Sequence, residues 1–244
     1  VMRAMKKGGK KPKMGPWPRL QKFWDIRAAL NFIGGGTGSG LLIIATVFIL
    51  LGQTNITAIV AGAISISFGL FMVFLEIGKP WRSFNVFFHP QTSWMTREGI
   101  VVMPLFLCVA LVIFYAGDPI SKVASLLMSL FAMVFLYCQV RMINAAKGIP
   151  SWSHTDLKPF IFSSGLTEAL GIAVCLPGLN TEKGLWLALT IMLLIRLTFW
   201  IVYTRNLNRD RAPEVTCAIF ASLYIKVLTA HILAIVLLIA AWMT

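Results

Sequence analysis

Seven apolar stretches, at roughly residues 30–51, 57–77, 99–116, 120–141, 160–177, 184–204 and 218–242, alternate with polar segments along the chain. Each is about as long as the ~20 helical residues that cross a hydrocarbon core of ~30 Å. The pattern predicts an all-α, polytopic transmembrane bundle of about seven helices. Composition agrees: 58% of the 244 residues are hydrophobic, 13% are charged and the mean hydropathy is +0.80, outside the range of soluble globular domains.

The net charge of +13 would suit nucleic acid, but its distribution argues otherwise. Eighteen of the 22 Lys and Arg residues fall in the tail 1–27 and in the loops after the second, fourth and sixth spans. The opposite loops hold Lys122 and Lys183, and Arg196 and Lys226 lie inside spans. That bias follows the positive-inside rule, so the N-terminus and three long loops are expected in the cytoplasm, with no nucleic acid as partner. Membrane lipid or an acidic protein surface suits the basic face. The tail has no apolar core or small-residue cleavage site, so it is not expected to be a secretory signal.

Cys108, Cys138, Cys175 and Cys217 are widely spaced with no Cys-x-x-Cys pair, so neither an iron–sulfur cluster nor a zinc site, nor any other metal, is expected. The histidines are His89 and His154 in basic loops and His231 in a span. They offer no opposed pair for a haem.

The segment "NFIGGGTGSGLL" at 31–42 puts five glycines in seven positions. A dinucleotide fingerprint fails on spacing, since the sixth place from Gly34 is Ser39, and a P-loop fails for want of a following lysine. Small-xxx-small spacing fits three times, Gly34/Gly38, Gly35/Ser39 and Gly36/Gly40, and admits a neighbouring backbone or a flat ligand against the first span. Both readings stand at this point.

Two long basic loops hold most of the remaining chemistry: "LEIGKPWRSFNVFFHPQTSWMTREG" (75–99) and "YCQVRMINAAKGIPSWSHTDLKPFIFSSG" (137–165). Interfacial tryptophans capping the bundle would account for both. The segments "LEIGKPWRSF…SWMTRE", "AAKGIPSW" and "NFIGGGTGSG" together resemble the integral membrane subunits of the NrfD/DmsC/PsrC type, over roughly residues 24–170. The resemblance implies a four-helix bundle at 28–150, with a quinone-site loop at 78–98, followed by a shorter second bundle at 151–244. It also implies an anchor subunit in a bacterial or archaeal cytoplasmic membrane. Such a subunit binds ubiquinone or menaquinone where a four-cluster iron–sulfur protein docks, and that protein serves a molybdenum or tungsten bis-pterin catalytic subunit.

A quinone needs hydrogen-bond donors for its oxygens and a proton-exchanging group. On this reading Asn31, Lys79, Trp81, Arg82, His89, Trp94, Arg97 and Tyr137 are the candidate donors, and Gly34, Gly35 and Gly38 a wall for the ring. Glu76, in a position where the resembling family often has an ionisable residue, is the expected protonic group; a helix-end ion pair with Lys79 is its structural alternative.

A transporter or proton-conducting protein is the competing class. Glu168, Arg196 and Lys226 are expected at similar depths in the fifth, sixth and seventh spans, and intramembrane charges tend to be functional. They form either a proton path or a structural set in which one carboxylate neutralises two cations.

Overall fold

The computed structural model describes residues 25–76, 80–179, 182–210 and 212–243. Among them the chain is all-α. The elements are α1 (Ile26–Leu50), α2 (Ile56–Glu76), a 3-10 helix (Pro80–Phe87), α3 (Trp94–Phe114), α4 (Pro119–Asn144), a single turn α5 (Pro150–Ser153), α6 (Leu157–Ala173), α7 (Lys183–Arg209) and α8 (Glu214–Met243). Six of these, α1 to α4, α7 and α8, are long and apolar enough to cross a membrane, which makes the protein a polytopic helical bundle. Of the tail 1–27, residues 1–24 lie outside the described residues.

The fifth expected span becomes α6, with 17 residues, about 25 Å of helix at the usual rise. It starts three residues before the apolar stretch and ends at Ala173, where the chain turns toward Gly178 in the left-handed region (φ +80°). α6 does not need to span alone, because it packs on α1, α4 and α7.

α1 is the central helix, and its glycines explain why. Gly34 and Gly38 meet the α2 backbone at Ser65, Gly69 and Gly62, while Gly36 and Gly40 meet Gly165 and Ala169 of α6. A Cβ on Gly34 would stand 2.7 Å from the Ser65 carbonyl oxygen. The small-residue run therefore lets two helices approach α1 from different sides. Beyond it Leu41, Leu42 and Ala45 are fully buried and join Ile59, Val112, Met128, Ala169 and Leu189 in one core. The main core runs across residue 150, with α6 completing the packing of α1.

A second cluster caps the basic end of α6 to α8. Trp200, Tyr203, Phe160 and Phe220 pack ring against ring, with centroids 5.3–6.4 Å apart, the separations aromatic pairs favour.

Candidate functional site

The site begins with a helix cap. The Ser93 hydroxyl accepts from the Thr96 amide at 3.2 Å, so α3 starts at Trp94 and not at residue 99 as the hydropathy suggests. Trp94, Arg97 and Glu98 consequently belong to the first turns of a helix instead of a loop. Arg97 ties down the preceding loop by donating to the carbonyls of Pro90 (2.7 Å) and Gln91 (2.9 Å), and its guanidinium lies 4.1 Å from the Trp94 ring centre. Arg141 of α4 lies 4.7 Å from the same ring, and Tyr137 meets it edge-on at 5.8 Å. Three of the expected donors, Trp94, Arg97 and Tyr137, are therefore brought together, and Arg141 joins them through cation–π contact.

Behind this surface cluster, Glu98 is 4% exposed and is the one buried acidic side chain among the described residues. The Gln139 side-chain amide donates to its Oε1 at 2.9 Å and to the Asn31 carbonyl at 3.4 Å. Gly35 lies against that amide, in space a side chain would take. Two acceptors here, Asn31 Oδ1 and Gln139 Oε1, are buried without a hydrogen-bond partner, an unusual cost for a protein interior. Asn31 and Gly35 were among the expected site residues. Glu98 and Gln139 were not. Their signals in the sequence are the Ser93 cap and a lone amide within "MVFLYCQVRM".

The other expected residues are placed differently. Gly34 and Gly38 are covered by α2, so the space a planar ring would need beside them is filled by a helix. Trp81 is 83% exposed, and Phe84 and Phe88 are exposed with it. His89 is exposed and borders a hollow of about 270 Å³ with Asn85, Ser93 and Thr96. Glu76 is half-buried at the end of α2. Its expected partner Lys79 lies outside the described residues, as does the Arg82 side chain. At this end Arg27 donates to the Leu75 carbonyl at 2.9 Å and pairs with Asp25 at 2.7 Å. The Arg27 hydrogen bonds hold the Asp25 carboxyl below its ordinary range.

A cleft of about 240 Å³ opens at the same end, between Asp25, Ala28, Ala29 and Phe32 of α1 and its entry, Ile143 of α4, Trp152 of α5, and Leu157 and Ile161 of α6. It is apolar except at its Asp25 rim. Ile143 is one helical turn beyond Gln139 on the same side of α4, so the buried amide stands just deeper than the cleft wall. The wall formed by α5 is clasped to its neighbours. Tyr203 donates to the Ser151 carbonyl at 2.9 Å, and Asn144 donates to the carbonyls of Trp152 and His154. Buried His154 accepts the Asp156 amide on Nδ1 at 3.2 Å, which leaves Nε2 to donate to Asp210 at 3.3 Å.

The three intramembrane charges do not form one set. Thr37 donates to Glu168 Oε2 at 2.9 Å, and Arg196 approaches Oε1 at 3.9 Å. Lys226 is exposed on α8 and forms no ion pair among the described residues. The reason is helix phase. α8 rests on its neighbours through Cys217, Phe220, Val227, Ala234, Ile235 and Leu238, and position 226 is turned well away from that line.

No cluster of three or more His, Cys, Asp or Glu suited to a metal occurs among the described residues. In comparison with known proteins, no family model, no curated protein and no solved structure matches this chain.

Proposed function

We propose that this protein is a quinone-interacting membrane subunit that exchanges electrons between a docked iron–sulfur protein and the quinone pool, at the basic end of α1, α3, α4 and α6. The observation that carries the reading is the buried Glu98–Gln139–Asn31 group next to the apolar cleft: Gln139 stands one helical turn from the cleft-lining Ile143, and Asn31 adjoins the cleft-lining Phe32. An unpartnered Gln139 Oε1 lacks a donor, and the hydroxyl of a quinol is a donor of the right kind. The cleft has room for one substituted six-membered ring. Its apolar walls suit a lipid-soluble molecule.

A quinone supplies two-electron, two-proton chemistry; the protein supplies position and protons. Phe32, Ile143 and Ile161 exclude water from the ring's place, and Gln139 orients an oxygen. Glu98, the ionisable side chain of that layer, holds or releases the proton. Glu76, half-buried near Arg27 and Asp25, is a relay between this layer and the aqueous edge, and Trp94 with Arg97 and Arg141 forms a cationic surface for an acidic partner. The motif resemblance to NrfD/DmsC/PsrC-type anchors supplies the assembly: a four-cluster iron–sulfur protein on this face and a bis-pterin catalytic subunit beyond it. The positive-inside charge bias supports a cytoplasmic side for this face and the N-terminus, and the motif resemblance supports a bacterial or archaeal membrane.

The transport reading draws less from the geometry, because Glu168 is already engaged by Thr37 and Arg196 while Lys226 faces away from them. A photoreactive azidoquinone distinguishes the possibilities. Labelling of the peptides that carry Ala28–Phe32 and Ile143–Ile161, suppressed by excess unlabelled quinone, is the expected result. Competable labelling confined to the His89 hollow would move the site to the first loop, and absence of competable labelling would remove the quinone assignment.

A further inference from the structure

We infer that the Lys226 face of α8 docks a transmembrane helix of a different polypeptide, one that carries an Asp or Glu side chain at the depth of Lys226. The inference rests on α8 and does not depend on the quinone reading.

Lys226 lies twelve residues beyond Glu214, about 18 Å along the axis at the helical rise. α8 is among the helices apolar enough to cross a membrane, and it packs principally on α7. Ser222, Lys226, Ala230, Leu233 and Leu237 are all exposed and share one side of the helix by their three- and four-residue spacings. A single cation in the middle of an otherwise small and apolar stripe is costly within a bilayer and is ordinarily matched by a partner.

No carboxylate among the described residues is that partner. The chain's nine carboxylate side chains, Asp25, Glu76, Glu98, Asp118, Asp156, Glu168, Glu182, Asp210 and Glu214, all belong to described residues. None of them is ion-paired with Lys226. A second copy fares no better. A symmetric pair through this face sets lysine against lysine, and the carboxylates inside the bundle, Glu98 and Glu168, are engaged by Gln139 and by Thr37 with Arg196. Charge complementarity therefore selects another chain. Ser222 and Ala230, one turn to either side of Lys226, leave room for its backbone to come close; both hydroxyls nearest the stripe, Ser222 and Thr229, already donate to carbonyls of α8 itself, so the lysine is the group left seeking a contact.

The test is site-specific photocrosslinking in native membranes, with a photoreactive residue at Leu233, two turns from Lys226. The expected product is an adduct with a different protein, mapping to an apolar segment that contains Asp or Glu. It should fall at least tenfold in Lys226→Met and persist in Lys226→Arg. Exchanging the charges, Lys226→Glu here with Lys in place of the partner's acid, should restore the adduct, and this arm decides the matter even if Lys226→Met accumulates poorly. An adduct of twice the chain's mass, adducts with lipid alone, or an adduct unchanged by Lys226→Met would each overturn the inference. The lipid outcome would show instead that Lys226 reaches a headgroup along its own side chain.

Discussion

Gly35 of α1 lies so close beneath the side-chain amide of Gln139 that a methyl group at position 35 would overlap it. The missing side chain thus fixes where Gln139 can stand, and through Gln139 the environment of Glu98. Gly35→Ala should displace the amide and leave the Glu98 carboxyl without its donor, at a cost of about 1–3 kcal/mol for a buried polar group. A lower unfolding midpoint in detergent together with weakened quinone-linked electron transfer is expected, and an unchanged midpoint would show that Gln139 has another place to go.

Gly34 and Gly171 provide a contrast within the same bundle. Ala at Gly34 meets the Ser65 carbonyl and forces α1 and α2 apart, which overpacking costs of roughly 1–3 kcal/mol describe. A Cβ on Gly171 of α6 meets nothing within 4 Å, so Gly171→Ala should be neutral or gain up to about 1 kcal/mol from helix propensity. Midpoints of the two variants, measured side by side, check that the glycine run serves packing.

The glycine run was legible as a packing device because helical spacing alone brings Gly34 to Gly38 and Gly36 to Gly40. The spans were legible too, apart from α6, whose shortness is possible only because α1, α4 and α7 enclose it. Glu98 was hidden by a boundary: hydropathy rises at residue 99, whereas the Ser93 cap begins the helix at Trp94, and the polar residues between look like loop. The direction of Lys226 was hidden for another reason. α8 is apolar nearly all round, so its sequence carries no polar face from which to read the phase.

Glu168 and Arg196 should behave as a pair and Lys226 as a bystander to the fold. Glu168→Ala removes the acceptor of the Thr37 hydroxyl and the carboxylate that faces the Arg196 guanidinium; the unfolding midpoint should drop by the equivalent of about 1–3 kcal/mol. Adding Arg196→Met should recover part of that loss, and Lys226→Met should leave the midpoint of the isolated chain unchanged. Equal destabilisation by Lys226→Met would restore the three-charge set.

The clasp around α5 is accessible to proteolysis. Tyr203→Phe removes the donor to the Ser151 carbonyl, freeing the segment that carries exposed Lys147. Trypsin should then cut after Lys147 faster than in the parent chain, with the helices on either side intact. An unchanged cleavage rate would show that the Asn144 and His154 bonds suffice to hold the segment.

The central claim is that Glu98 exchanges protons with a quinone beside it, and the direct measurement is quinone-linked electron transfer in the assembled complex carrying Glu98→Gln. Gln keeps the size of the side chain and an acceptor for the Gln139 amide, but it cannot take up or release a proton. Assembly and reduction of the partner's iron–sulfur clusters by dithionite should be normal, while electron transfer with quinone falls roughly 10²-fold or more, the scale of a lost general acid–base group. A rate within twofold of the parent, with the complex intact, would contradict the account and leave Glu98 as a buried structural acid.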